Sequence, residues 1–390
     1  MDGLIFGAVV AARILVPLAI PKYPLPAMLA ALVIDGVDQT IFQTFTSLDL
    51  SGYQQYDKAL DVYYLSIAYT ATLRNWTHLD AFGVSRFLYY YRLIGVVAFE
   101  LSQVRALLLV FPNTFEYFFD AYEAVRVRWD PRRMSRRLVI GIAAFIWIFI
   151  KLPQEWWIHV AQLDTTDLIK EQIFGVPTTA SWAEAFAARP WIPIVAVIAV
   201  VALIIAAWWV VTRRLPPADR PPTFDADARQ PAVDPVEIEA TRRRLALRLF
   251  DRELVEKVVL VGLVSIIFGR MLPGVEASPV AIAAGVAIVI VANGAIIEAL
   301  IRRARSLGVY TTTRQFLVTL GVNVAIVLVG QLVLDLLHGP SLEHALVFVL
   351  LLSLIVTLYD RYRPIHVTRF GFDEGRPHAV PAAQLDPSRP

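Results

Sequence analysis

Apolar runs of bilayer length, separated by short polar or Pro-rich stretches, recur from one end of the chain to the other. A spanning helix needs roughly 20 mainly apolar residues, each rising about 1.5 Å. The clearest run, 191–211, reads WIPIVAVIAVVALIIAAWWVV, with Trp at both ends where an aromatic belt would lie. Comparable runs occupy 258–272, 280–301, 316–337 and 345–359, and a shorter, dense one occupies 138–150. In the first hundred residues the pattern is interrupted by charge. Arg13 falls in 4–20, Asp35 and Asp38 in 26–46, Asp61 in 59–73, and Arg92, Glu100 and Arg105 in 87–111. These ten runs predict an all-α, polytopic membrane bundle of about ten transmembrane helices, with 59–73 carrying the faintest pattern.

Breaks in the pattern set the predicted domain organisation. The stretch 213–237, RRLPPADRPPTFDADARQPAVDPVE, has too much Pro and charge to bury a core and reads as a disordered cytoplasmic linker. It divides a six-span N-terminal membrane domain, 1–212, from an amphipathic cytoplasmic helix, 238–256, and a four-span C-terminal membrane domain, 257–360. The remaining residues, 361–390, read as a cytoplasmic tail. Residues 114–129 place Phe115, Phe118, Phe119, Tyr122 and Trp129 at helical spacing, with Glu116, Asp120 and Glu123 opposite. That pattern predicts a helix lying flat at the membrane surface. The 152–190 stretch opens on Trp156 and Trp157, turns polar, and reads as an external loop.

Composition agrees with a membrane protein: 57% hydrophobic and 18% charged residues, against 45–50% and about 25% in soluble domains. A formal net charge of +2 offers nothing to nucleic acid, but its distribution orients the chain. The basic segments 125–137, 241–248 and 302–305 belong on the cytoplasmic side by the positive-inside rule, while 152–190 holds only Lys170 and Arg189. Ten crossings then put both termini in the cytoplasm. The first helix, lacking a basic leader and a cleavage site, reads as retained. Cysteine is absent, and Lys occurs only at 22, 58, 151, 170 and 257, an Arg bias suggesting a GC-rich bacterial source and the bacterial cytoplasmic membrane.

Charges inside spans carry the candidate chemistry. An ionised carboxylate at the bilayer centre costs at least ~2.5–3.5 kcal/mol and demands a partner. Reversal of the chain at PKYP, 21–24, brings Arg13 to the depth of Asp35. A second turn near 48–52 brings Asp38 level with Asp61, and two carboxylates at one depth share a proton or a cation. Glu100 falls near the middle of its own span. Asp38, Asp61 and Glu100 are therefore the candidate proton- or ion-binding residues, and Arg13, Asp35 and Arg92 the structural charge partners. The plainer reading is that all six form satisfied pairs fixing helix register. Tyr63, Tyr64, Tyr69 and FLYYYR at 87–92 could line a cavity or simply pack. Glu298 pairs with Arg302 or Arg303, and Asn293, Asn323 and Gln331 read as interhelical hydrogen bonds.

No phosphate-binding glycine loop, zinc-protease helix or serine-nucleophile motif is present, and no metal or cofactor is predicted. His338 and His344, flanking Glu343, come nearest to a zinc set, and NWT at 75–77 matches a sequon by chance. The leading expectation is a proton- or cation-linked transporter or channel, with the bilayer, a small ion or solute and other membrane proteins as partners. The alternatives are a non-catalytic scaffold or assembly partner in the cell envelope, and a membrane enzyme acting on lipid or cell-wall precursors.

Overall fold

The computed structural model describes residues 2–47, 53–161, 165–214, 216–229, 233–247, 252–271, 312–334 and 342–371. The fold is all-helical, 84% helix, with no strand among the described residues. Two helices open the chain, α1 (Asp2–Leu15) and α2 (Pro24–Phe45), joined through a tight turn that Pro17 and Pro24 pre-shape. The pair is antiparallel: Ser47 at the end of α2 bonds Asp2 at the start of α1, its hydroxyl 2.7 Å from Oδ2.

At the centre lies α3 (Tyr53–Asn75), the element with the faintest sequence pattern. Residues 62–73 are buried without interruption. Polar groups appear all round this helix because protein, not lipid, surrounds it, and its buried tyrosines and Ser66 bond that protein. Tyr63 Oη donates to the Ile14 carbonyl (3.0 Å), Tyr64 Oη to Glu116 (2.8 Å) and Tyr69 Oη to Glu256 (2.5 Å), while the Ser66 and Tyr89 hydroxyls lie 2.7 Å apart. The tyrosines singled out from sequence are therefore packing groups, and Tyr69 stacks on Tyr89 with centroids 4.4 Å apart.

The next helix, α4 (Leu79–Ser102), stops at Gln103, which adopts a left-handed φ of 57°. The chain then folds back as α5 (Ala106–Val110), so 87–111 is not one continuous span. The return is held by Tyr91 Oη donating to the Val110 carbonyl (2.9 Å) and Arg92 Nη1 to the Phe111 carbonyl (3.0 Å). Gly95 makes room for it: a Cβ there would lie 2.1 Å from the Phe111 Cβ.

From this return runs α6 (Thr114–Arg128), the helix expected to lie on the membrane surface. It lies in the core instead. Phe115, Phe118, Phe119 and Tyr122 are all buried, the last with its ring centroid 4.0 Å from that of Trp76. Two residues of its acidic face bond protein as well, Glu116 to Tyr64 midway along α3 and Glu123 to Trp76 Nε1 (2.7 Å) at the end of α3. Helices α3 and α6 therefore run in the same direction towards one end of the bundle.

Ser135 caps α7 (Arg136–Val160), whose helix passes through two π-helical stretches, Ile146–Lys151 and Trp156–Val160. It continues through the first residues assigned to the external loop. Three further helices follow: α8 (165–174), α9 (Trp182–Ala188) and α10 (Trp191–Arg214). After α10, residues 216–229 form an ordered strap, correcting the expectation of a disordered linker. With no core of its own, the strap uses backbone bonds to α6: the amides of Asp219 and Thr223 donate to the carbonyls of Arg128 (3.0 Å) and Val127 (3.3 Å).

The expected cytoplasmic helix at 238–256 is α11 (Pro235–Leu247), with α12 (Arg252–Met271) starting before its end. Then come α13 (Thr312–Leu334) and α14 (Leu342–Phe370). The two halves are not separate bundles, because Leu260, Val264 and Phe268 of α12 and Leu351, Ile355 and Tyr359 of α14 share one core with α3 and α4. The last helix also runs past 360 into the expected tail, with Tyr362, His366 and Val367 buried. The predicted span 280–301, His338 with its neighbouring loop to 341, and the chain after 371 lie outside the described residues.

Among the described residues three helical segments are long and apolar enough to cross a membrane, Asp2–Ala19, Pro24–Phe45 and Arg136–Val160, with a fourth if α9 and 191–203 form one span bent by 93°. Their apolar side chains face outwards, as Val33 (63% exposed), Phe149 (67%) and Leu203 (69%) show. One expected placement does not survive. Ten crossings put the 21–24 turn and the 213–237 linker on opposite faces, yet the Ala226 amide donates to the Lys22 carbonyl at 2.8 Å. The turn, the end of α3, the end of α6 and the strap all meet at one end.

Candidate functional site

The first three helices bring their charges to one point. Arg13 sits on the last turn of α1 and is buried to 4% exposure. Asp35 and Asp38 are three residues apart on α2, and Asp57 and Asp61 four apart on α3, spacings that put each pair on one helix face. The guanidinium engages all four. Arg13 Nη1 bonds Asp38 Oδ2 and Asp57 Oδ1, while Nη2 bonds Asp35 Oδ1 and, at 2.7 Å, Asp61 Oδ1. Tyr53 Oη donates to Asp38 Oδ2 at 2.5 Å, and the rings of Phe6, Phe42 and Tyr53 close one side of the group.

The charge count is unequal. With all groups ionised, four carboxylates surround one guanidinium and leave three negative charges uncompensated. An arginine stays protonated in proteins, so the imbalance can only be relieved on the acidic side, by protons or by a cation. The carboxylates also differ in access. Asp38 is sealed (2% side-chain exposure), whereas Asp35 (28%), Asp57 and Asp61 (38% each) are half-buried. One carboxylate oxygen from each of these three lies within 4.8 Å of the others, an oxygen-only donor set of the kind hard cations take.

Of the residues singled out from sequence, Arg13, Asp35, Asp38 and Asp61 meet here. The expected split, Asp35 on Arg13 and Asp38 against Asp61 alone, is replaced by one guanidinium shared among four acids. Glu100 lies apart, 3.6 Å from Lys58, and Arg92 serves the Phe111 carbonyl. Asp57 and Tyr53 were missed. Both precede the apolar run that marked the third span, although the four-residue spacing from Asp57 to Asp61 was visible.

A second polar group lies at the opposite end of α3. Glu123 is fully buried and receives Trp76 Nε1 (2.7 Å), Arg126 Nη1 (2.6 Å) and Arg229 Nη1 (3.2 Å) from the strap. Arg126 Nη2 also donates to the Asn75 carbonyl (2.8 Å), and Arg369 Nη1 to that of Trp76 (3.0 Å). Burial, with Arg126 and Arg74 nearby, brings the Arg369 guanidinium down to about 10. Hydrogen bonding from Arg132 holds the Asp130 carboxyl below its usual range.

No family model, curated protein or solved structure matches this chain. The functional reading therefore stands on the two charged groups themselves.

Proposed function

We propose that the chain is a polytopic protein of the bacterial cytoplasmic membrane that couples transport to proton or cation binding at the Arg13–aspartate group. The observation that carries this reading is the imbalance of four carboxylates on one permanently charged guanidinium. A register-fixing pair needs one acid for one base. Four acids make a group whose charge changes with the protons or cations available to it, and three of them are only partly buried.

The bilayer arrangement that suits this reading keeps the ten expected spans and adds a return path. Because α5 and α6 lead the chain back to the end of α3, the spans before α5 reverse and those after it keep their expected orientation. The Arg-rich end, with Lys22, Arg74, 125–137 and the strap, then faces the cytoplasm together with the C-terminus. The N-terminus faces outwards.

Purified protein in liposomes tests the function. A pH or cation gradient is expected to drive ion or solute flux, and Asp61→Asn is expected to reduce it at least tenfold while the protein remains folded. Flux indistinguishable from empty vesicles under proton, sodium and potassium gradients, with a second protein copurifying, would favour the scaffold reading.

A further inference from the structure

The strap end of the bundle holds a cleft of about 240 Å³ that the aspartate group does not use. Its walls carry Arg126 from α6, Arg132 from the following turn, and Arg220 and Arg229 from the strap, with Asp130 and Asp219 among them. The partners of these groups can be followed one by one. Arg126 and Arg229 share the single carboxylate of Glu123. Arg132 takes Asp130 (2.8 Å), and Asp219 is taken by Arg133 (2.5 Å) from outside the cleft wall. Among the described residues Arg220 donates only to backbone, to the carbonyls of Arg229 (3.1 Å) and Trp129 (2.9 Å). Arg126, Arg132, Arg133, Arg220 and Arg229 thus face three acids, Glu123, Asp130 and Asp219, and two positive charges are left over.

That surplus is held in a costly way. Arg229 Nε and Nη2 and Arg220 Nε are buried with no hydrogen-bond partner among the described residues, and unmet buried donors of charged groups are among the more expensive ones to leave. Burial, and then the like charges of Arg126 and Arg220, pull the Arg229 guanidinium below its ordinary range despite Glu123. A phosphate group answers this arrangement better than a carboxylate does. It can carry up to two negative charges, and its oxygens accept from several guanidinium forks at once. Thr77 adds a hydroxyl to the same wall.

We propose that this cleft binds a phosphate-bearing anion, a chemistry that a phospholipid headgroup and a soluble phosphate ester share, with Arg132 and Arg220 as its grip. Because Arg132 belongs to the turn after α6 and Arg220 to the strap, the bound anion also clamps the strap to the bundle. The position suits either source: the cleft sits where the basic loops gather, and basic pockets beside membrane helices on the cytoplasmic side hold anionic headgroups.

The test uses the full chain, with its thermal melt followed in two arms. In the first, inorganic phosphate is titrated into detergent-solubilised protein at constant ionic strength. In the second, the protein sits in phosphatidylcholine nanodiscs with increasing phosphatidic acid, a phosphomonoester, and phosphatidylglycerol, a singly charged diester, is added to matched total surface charge as the comparison. A saturable rise in melting temperature is expected in at least one arm. Its midpoint should weaken tenfold or more in Arg220→Gln and in Arg132→Gln, and stay unchanged in Arg136→Gln. Arg132 is a safe position to change, since its side chain is 63% exposed and, among the described residues, bonds Asp130 alone. A response to phosphate alone identifies a soluble ligand, one to phosphatidic acid alone a headgroup, and both together the shared chemistry. The absence of a saturable response in both arms, or an unchanged midpoint in Arg132→Gln, overturns the proposal.

Discussion

Arg13 decides how the substitutions around it should behave. A one-to-one pair would make Asp35→Asn strand a buried arginine. Here Asp38, Asp57 and Asp61 remain on the same guanidinium after that change, and one like charge is removed. Asp35→Asn is therefore expected to leave the melting temperature in detergent unchanged or raised. Arg13→Gln removes the only base from the group and should destabilise by roughly 3–5 kcal/mol, the scale for breaking a buried pair. Equal damage from the two variants would mean that Asp35 alone is the partner of Arg13. The Arg13–Asp35 contact was legible because both charges interrupt apolar runs and a Pro-marked turn sets their depth. Asp57 was not, since it lies in a polar segment where a carboxylate raises no question until the fold turns it inward.

At the scale of the element, helices with an aliphatic run were legible wherever they pack, α12 and α14 in the core included, and the polar or aromatic core helices α3 and α6 were not. The lipid-type pattern of α1, α2 and α7 survives because their outer faces touch nothing polar. Helix α3 is wrapped by protein, so its hydroxyls and tyrosines find partners such as Glu116 and Glu256 and hydropathy fades. The aromatic stripe of α6 fits a lipid surface as well as a protein core, and only the positions of Trp76 and Tyr64 distinguish the two. The strap misleads for a third reason: Pro-rich chain cannot build a core, but it can dock on one through its amides. The α4–α5 reversal offers the sharpest test of an element. Gly95→Ala would put its Cβ against the Phe111 Cβ, so it should cost about 1–3 kcal/mol by overpacking. Gly141→Ala in α7, where nothing lies within 4 Å, should instead gain about 0.5–1 kcal/mol from helix propensity. Melts of the two variants compare them directly, and a harmless Gly95→Ala would argue against the close return.

For the whole molecule, the reading of one element decides where the proposed arrangement puts a terminus. Counting α6 as a surface helix makes the crossings even and puts both ends of the chain in the cytoplasm. Taking it as the return path makes them odd, and everything before it inverts. Two contacts at the strap end support the inversion that we propose: the Ala226 amide on the Lys22 carbonyl, and Arg229 on the Glu123 carboxylate beside Trp76. At the other end Ser47 meets Asp2, and Lys58 lies 3.6 Å from Glu100, so the starts of α1 and α3 sit with the ends of α2 and α4. In the proposed arrangement charge chooses the inner face, because the strap end collects Lys22, Arg74 and the 125–137 basic run while, among the described residues, the other end has no such cluster. Since the chain has no cysteine, single cysteines report without background. Gly3→Cys and Thr179→Cys in intact cells should react with an impermeant thiol reagent, and Ala218→Cys only after lysis. Positions 179 and 218 come out the same whichever way α6 is read, so position 3 discriminates. Labelling there only after lysis would restore the even count and require α6 to leave the bundle core, taking the Trp76–Glu123–Arg229 contact with it.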